Sequence, residues 1–326
     1  MMTYELEAEL AEVAKRELNE TPLWRTECLQ EMREILESQG SSEDRDLSDE
    51  TLVRFLRSKK FDVSRSVAAY KNYFYIRAKH PDIFVIPELD SVEHVWRANI
   101  VGILPGRDKL DRGMMLGFPG RWDPDTQSLD TVFAALMMQL DHAIKDVRNQ
   151  VNGIVLLADF RDVSLFQASH ITPTYVRLIT TIVQNSFPAR FKGVYIINYP
   201  WYINTLLTLI RPFLSAKMSN RVNLIKNLDD LDRHFHHDAL PEEFGGSQPL
   251  YSNEEWIRTV RGINSPSHSA SSALSLTANQ EVVSLTSNDD RSSQHENEEE
   301  EEEEWFDTLD YFPTKPTILP SRETTV

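Results

Sequence analysis

One cysteine, Cys28, stands in 326 residues. It excludes an internal disulfide and any thiolate-rich metal centre. No secretory leader is visible in MMTYELEAELAEVAKRELNE. With the single cysteine, that predicts a cytosolic compartment. Runs of about 18 apolar residues are missing, so no helix is expected to span a bilayer. The stretch 193–214 comes nearest, and Asn198, Pro200, Asn204, Arg211 and Pro212 interrupt it. A Gly-rich phosphate loop, a G-x-S-x-G elbow and clustered metal-binding cysteines are also missing. Bases are outnumbered, with 34 Lys and Arg against 51 Asp and Glu and a net charge of −17. That balance excludes nucleic acid as the expected partner, which wants a strong basic stripe.

The shortage of bases is uneven. Residues 1–50 hold 5 bases and 15 acids, residues 51–263 hold 26 and 22, and residues 264–326 hold 3 and 14. A mildly basic centre, net +4, therefore lies between acidic ends. A patch for anionic headgroups needs few bases, because each contributes on the order of 1 kcal/mol near an anionic surface. The final segment is Ser-rich and weakly hydrophobic, then carries seven consecutive glutamates, 298–304. It reads as a disordered acidic tail, kept extended by self-repulsion. Trp305, Phe306, Leu309, Tyr311 and Phe312 follow. They resemble short acidic-aromatic peptides that dock on clathrin or coat adaptors, and the composition suits a solubilising appendage equally well.

Residues 3–40 read as helical. Ser48, three residues before Thr51, caps a helix over 49–57, and a second helix fits 64–79. A Pro-bounded loop, 80–91, ends a helical N-terminal module spanning 1–91. Short apolar runs then appear at Met114–Phe118, Ile154–Asp159, Val194–Asn198 and Val222–Ile225. They alternate with helical stretches at 127–147, 172–185 and 201–210, and 229–237 makes a short helix. This alternation predicts an α/β lobe, 92–262, on a mostly parallel sheet with helical crossovers. The tail covers 263–326.

Chemistry finds little footing. His234, His236, His237 and Asp238 are the one metal-like cluster, yet consecutive histidines cannot share a helix or strand face, and a polar helix end accounts for them. Asp159 ends a strand and reads as a hydrogen-bonding anchor, since no nucleophile or histidine pairs with it. The chain is therefore not expected to be an enzyme. A binding interior has more behind it. Phe133, Leu136, Met137 and Leu140 share one helical face, and Leu156, Phe160, Phe166, Ile179, Ile182, Val183 and Phe187 add apolar volume. A packed core and a lined cavity have the same signature in sequence.

The most informative stretch is 184–222, QNSFPARFKGVYIINYPWYINTLLTLIRPFLSAKMSNRV. Arg190 and Lys192 precede an apolar strand, a wide apolar helix runs from Trp201 to Leu214, and Lys217 and Arg221 close it. Ile203, Leu206, Leu207, Ile210 and Leu214 fit one helical face, widened by Tyr202, Leu209 and Phe213. A greasy helix flanked by cations suits a protein that covers an apolar ligand in water and opens at an anionic membrane.

SFPARFKG, IIN-P, IRPFL and EEFGG (242–246), in that order, resemble the CRAL-TRIO lipid-binding family, and most of all its clavesin group. Its tocopherol- and retinaldehyde-carrying groups are near to hand. LVRFLRSKKFDV (52–63), GRWDPD (120–125), VNGIVLLADF (151–160), ASHITPTYVRLI (168–179) and ELNETPLW (17–24) extend the resemblance over roughly residues 15–260. It implies an apolar pocket closed by a mobile helical lid at 201–214. Phe133, Met137, Leu140, Leu156, Phe166, Ile179, Ile182 and Phe187 would line the pocket. Ile203, Leu207 and Ile210 would face the cargo from the lid, with Phe213 or Leu214 entering the bilayer. Phosphoinositide-contacting bases of the family match Lys59, Arg190, Lys192, Lys217 and Arg221. Phosphatidylinositol-transferring members carry a glutamate where Ala189 stands, so the resemblance implies a neutral tocopherol- or retinoid-like cargo. No other cofactor and no metal are expected. It also implies peripheral association with phosphoinositide-bearing endosomal or trans-Golgi membranes.

Overall fold

The computed structural model describes residues 6–39, 45–85 and 88–262. The acidic tail and its aromatic cluster lie outside the described residues.

The first helical stretch is two helices. α1 (Ala8–Leu18) ends where Asn19 turns left-handed at φ 61. α2 (Pro22–Ser38) begins with Pro22, and the Thr21 side chain accepts from the Trp24 amide. A left-handed Asn and a Thr-Pro start are ordinary stop and start signals. α3 (Asp49–Ser58) is capped by Ser48, whose hydroxyl accepts from the Thr51 amide at 3.3 Å, as its sequence predicts. α4 (Val63–Lys79) follows. Leu10, Ala14, Leu18, Met32, Leu36, Leu52, Phe55, Leu56 and Tyr70 form the core of this layer. Two short helices, α5 (Pro81–Phe84) and α6 (Asp90–Arg97), occupy much of the expected loop and lead into the sheet.

The sheet has five strands in the order β1 to β5: β1 (Val101–Arg107), β2 (Gly113–Gly117), β3 (Ile154–Asp159), β4 (Phe191–Ile197) and β5 (Val222–Leu224). β1 runs antiparallel to β2, and the other pairings are parallel. β1 is not among the expected strands. Its sequence, VGILPGR, holds a proline and two glycines, tolerated because it is an edge strand whose register shifts between Leu104 and Arg107.

α7 (Leu129–Ala143) and α8 (Val147–Asn152) connect β2 to β3. α9 (Leu165–Ser169), α10 (Pro173–Thr181) and a π-helical turn (Ile182–Ser186) connect β3 to β4. α11 (Ile203–Ile210), a 3₁₀ turn (Arg211–Phe213) and α12 (Ala216–Ser219) connect β4 to β5. Sequential parallel strands joined by right-handed crossovers put every crossover on one face of the sheet. The other face is covered by the chain after β5, where Leu231, Phe235, Leu240 and Phe244 pack on Leu116, Leu157 and Tyr195. 3₁₀ turns at Leu228–Arg233 and His237–Ala239 stand where a short helix is expected.

The helical layer is welded to the lobe. Val151 of α8 sits in the α1–α4 core. Arg57, 2 % exposed, donates to both Glu20 oxygens at 2.9 and 2.7 Å and to Gln150 Oε1 at 2.6 Å. A buried guanidinium is tolerated only with such full pairing.

Candidate functional site

The crossover face of the sheet is apolar and not fully enclosed. Ile103, Met115, Leu156, Val194 and Val222 pair in register across all five strands. One step further along lie Gly117, Ala158 and Ile196. Small side chains there leave space: a Cβ on Gly117 would meet Ala158 Cβ at 3.7 Å and Leu156 Cδ1 at 3.9 Å, ordinary contact distances. Leu156 and Val194 are only half-buried although they lie on inner strands. In a close-packed core such positions are fully enclosed.

Over this face, α7 contributes buried Phe133, Met137 and Leu140, and the chain after α10 contributes buried Ile182 and Phe187. Leu156 and Ile179 border the same cluster half-buried, and Ala189 packs against it with a methyl group. Phe166 is elsewhere: it is 53 % exposed on α9, edge-on to His170.

α11 follows β4. Pro200 supplies the carbonyl of its first turn, and Pro212 ends the α-helical ladder because it has no N–H to give. Its one extensive packing contact is with the 3₁₀ turn that follows it. Ile203 is buried, and Leu206, Leu207 and Ile210 are half-buried. Trp201, 82 % exposed, and Leu209, 67 % exposed, carry the apolar surface on the outside. Phe213 and Leu214 are half-buried, and the Arg177 guanidinium lies 5.7 Å from the Phe213 ring centre. Trp201 and Leu209 are thus more exposed than Phe213 and Leu214, the pair that the resemblance places in the bilayer. Tyr202 donates through its hydroxyl to the Val163 carbonyl and ties the start of α11 to the segment leading into α9. There Leu165 and Phe166 are exposed as well.

The five bases have unequal surroundings. Arg190 is buried and donates to the Val151 carbonyl and to Glu17 Oε2, the latter at 3.2 Å. Lys192 donates to the same Glu17 oxygen at 2.9 Å. The hydrogen bond from Lys192 and the two adjacent cations hold the Glu17 carboxyl down at about 2, against some burial. Arg221 donates to the Phe191 carbonyl. Lys217 is exposed on α12. Lys59 donates to the Gln184 carbonyl at 3.0 Å.

Partial burial, followed by neighbouring positive charge, pushes the pKa of Lys217 down, and the cations acting on it are Arg221, Lys60, Arg65 and Arg190. Lys192 shifts the same way, through burial and then Arg190 and Arg221, with Glu17 opposing. Burial and like charge both disfavour the charged amines, and a neighbouring anion would favour them. Lys60 and Arg65, both exposed, join this cluster from the α3–α4 turn. Sequence reasoning missed them. They share no motif with Lys217, and only the fold brings the two regions together.

The remaining candidates have structural explanations. Asp159 Oδ1 accepts from the Arg161 amide at 2.9 Å and from Asn198 at 3.0 Å, anchoring the ends of β3 and β4. His234 packs tilted against Tyr195, with ring centres 4.8 Å apart. Among the described residues no group of His, Cys, Asp or Glu is arranged to hold a metal ion. Cys28 is buried, and desolvation raises its thiol to about 11, which leaves it unreactive. No described helix is long and apolar enough to cross a membrane.

The CRAL/TRIO domain matches residues 97–246. Clavesin-1 of Xenopus laevis is 35% identical over 260 residues, 79% of this chain and 78% of the relative. Clavesin-2 of Homo sapiens is 34% identical over 258 residues, 78% of this chain and 79% of the relative. The crystal structure of Sfh5 superposes with a TM-score of 0.52 at 12% identity, over 74% of this chain and 97% of that one, a likeness of fold alone. With that domain matched and relatives of this identity covering most of both chains, the chain belongs to the CRAL-TRIO family of lipid-binding proteins.

Proposed function

We propose that the protein carries a neutral hydrophobic lipid, tocopherol- or retinoid-like in class, and exchanges it at membranes bearing bisphosphorylated phosphoinositides. It does so without bond chemistry. The observation that carries this reading is the two-sided greasiness of α11. Its inner face carries Ile203, buried, with Leu206, Leu207 and Ile210, half-buried, and its outer face offers Trp201 and Leu209 to solvent. Opening in water exposes the inner face at about 25 cal/mol per Å². A bilayer removes that cost, and Trp201 suits its interface. The cations around Lys217 and Arg221, with Lys60 and Arg65, would hold the headgroup and keep the lid at the membrane. Ala189, packed on the apolar cluster, supports a neutral cargo over phosphatidylinositol. Peripheral action at endosomal or trans-Golgi membranes follows from the same headgroup preference.

Native mass spectrometry of the purified full chain tests the cargo. One lipid molecule per protein of isoprenoid or retinoid mass is expected, and phosphatidylinositol as the only copurifying lipid refutes the Ala189 argument. A second reading, an adaptor recruited to clathrin coats, rests on the acidic-aromatic segment 298–312.

A further inference from the structure

We propose that Gln184 is a clasp joining the cationic cluster to the hinge of the lid, so that an anion on Lys59 loosens the lid. The inference rests on the lipid-exchange reading for its purpose, while the clasp belongs to the chain itself.

Gln184 sits inside the π-helical turn Ile182–Ser186. Such turns are rare and recur at functional positions because a widened turn re-aims a side chain. Here it points Gln184 at the end of the lid segment. Its Nε2 donates to the Phe213 carbonyl at 3.1 Å, and its Oε1 accepts from the Ser215 amide at 2.8 Å. These two groups flank Leu214, which is extended at φ −102 and ψ 134 between the 3₁₀ turn and α12. One side chain therefore pins both sides of the residue about which the lid must pivot. The main-chain carbonyl of Gln184 accepts from Lys59 Nζ at 3.0 Å. The same residue thus touches a base of the cluster with its backbone and the hinge with its side chain. A phosphate that draws Lys59 Nζ away removes a charge-assisted hydrogen bond from the turn, and the turn positions the clasp.

Hydrogen exchange on the full chain, without any lipid, reads the clasp directly. Gln184→Ala should speed exchange of the Ser215 amide and of the 203–214 amides roughly tenfold, the worth of two net hydrogen bonds, with α1–α4 unchanged. Adding a soluble inositol trisphosphate to the wild type should speed the same amides, and the variant should no longer respond. Lys59→Met, which keeps the apolar stem, covers the case in which Gln184→Ala folds poorly. It should still bind the inositol phosphate through the remaining bases, measured by calorimetry, while the lid amides cease to respond. Unchanged lid exchange in Gln184→Ala overturns the clasp whatever the protein transports. A wild-type lid indifferent to bound inositol phosphate overturns the coupling. If both responses appear and yet no lipid moves between vesicles, the clasp stands and the lipid-exchange reading falls.

Discussion

Glu17→Gln tests the internal counter-ion of the cationic cluster with almost no change of shape. Glu17 is held at about 2 against an ordinary 4.5, by Lys192 first and then by Arg190. At roughly 1.4 kcal/mol per pKa unit that shift would be worth about 3 kcal/mol. The side chain is 38% exposed, and solvent screening reduces the contribution to about 1–2 kcal/mol. A carboxylate depressed in the folded state stabilises above its unfolded pKa, and the gain disappears as pH falls from 4.5 towards 2. The variant should therefore melt about 2–6 °C below the wild type at neutral pH, and the gap should close in acid. The same change releases Lys192, and in part Arg190, for an external anion. One unit of charge near an anionic surface is worth about 1 kcal/mol, so vesicles bearing bisphosphorylated phosphoinositide should bind about fivefold tighter at low salt. Thermal melts against pH and vesicle flotation on the same protein separate the two effects. A variant that melts earlier and binds vesicles no better refutes the counter-ion argument, because the two bases would then be structural only.

Lys60→Ala, Arg65→Ala and Lys217→Ala should each weaken vesicle binding about fivefold at low salt and less as salt rises, with melting unchanged, as flotation and calorimetry would record. Trp201→Ala and Leu209→Asp should slow lipid transfer between vesicles while leaving cargo bound, whereas Leu207→Asp should lose cargo. Equal losses from the outer and inner substitutions would mean that α11 is ordinary core. Truncation after Gly262 should leave fold and cargo intact and tighten vesicle binding at low salt, because a tethered segment of net −11 competes for the bases. The adaptor reading predicts instead a lost coat-protein pulldown with unchanged lipid affinity.

Local rules carried the sequence a long way where period and punctuation agreed. Ile154–Asp159 is a strand with the expected ends, and Ser48 caps α3 as its spacing says. The failures have physical causes. β1 contains Pro105 and two glycines, which read as a turn, and only its edge position makes it a strand. The π turn at 182–186 keeps helical periodicity in sequence, so nothing local separates it from α10. Asn19, Thr21 and Pro22 do mark the break between α1 and α2, and that signal was legible. The packing of Phe133, Met137 and Leu140 in one cluster was recoverable because one helical face gathers them. The partial exposure of the neighbouring sheet face was not, because it depends on what is small across the sheet, Gly117 and Ala158. Long-range charge is the least legible of all. Glu17 meets Lys192 across more than half of the chain, and no periodicity encodes that encounter.

Arg57 has a bearing on recognition as well as on folding. It is locked between Glu20 and Gln150, and Lys59 and Lys60 leave the helix two and three residues later. The lock therefore acts as a calliper, fixing how far the helical jaw of the cationic cluster stands from the jaw formed by Lys217 and Arg221. On the proposed headgroup reading, a gap set by a buried ion pair would make selectivity among inositol phosphates a matter of the spacing between phosphates on the ring, more than of their number.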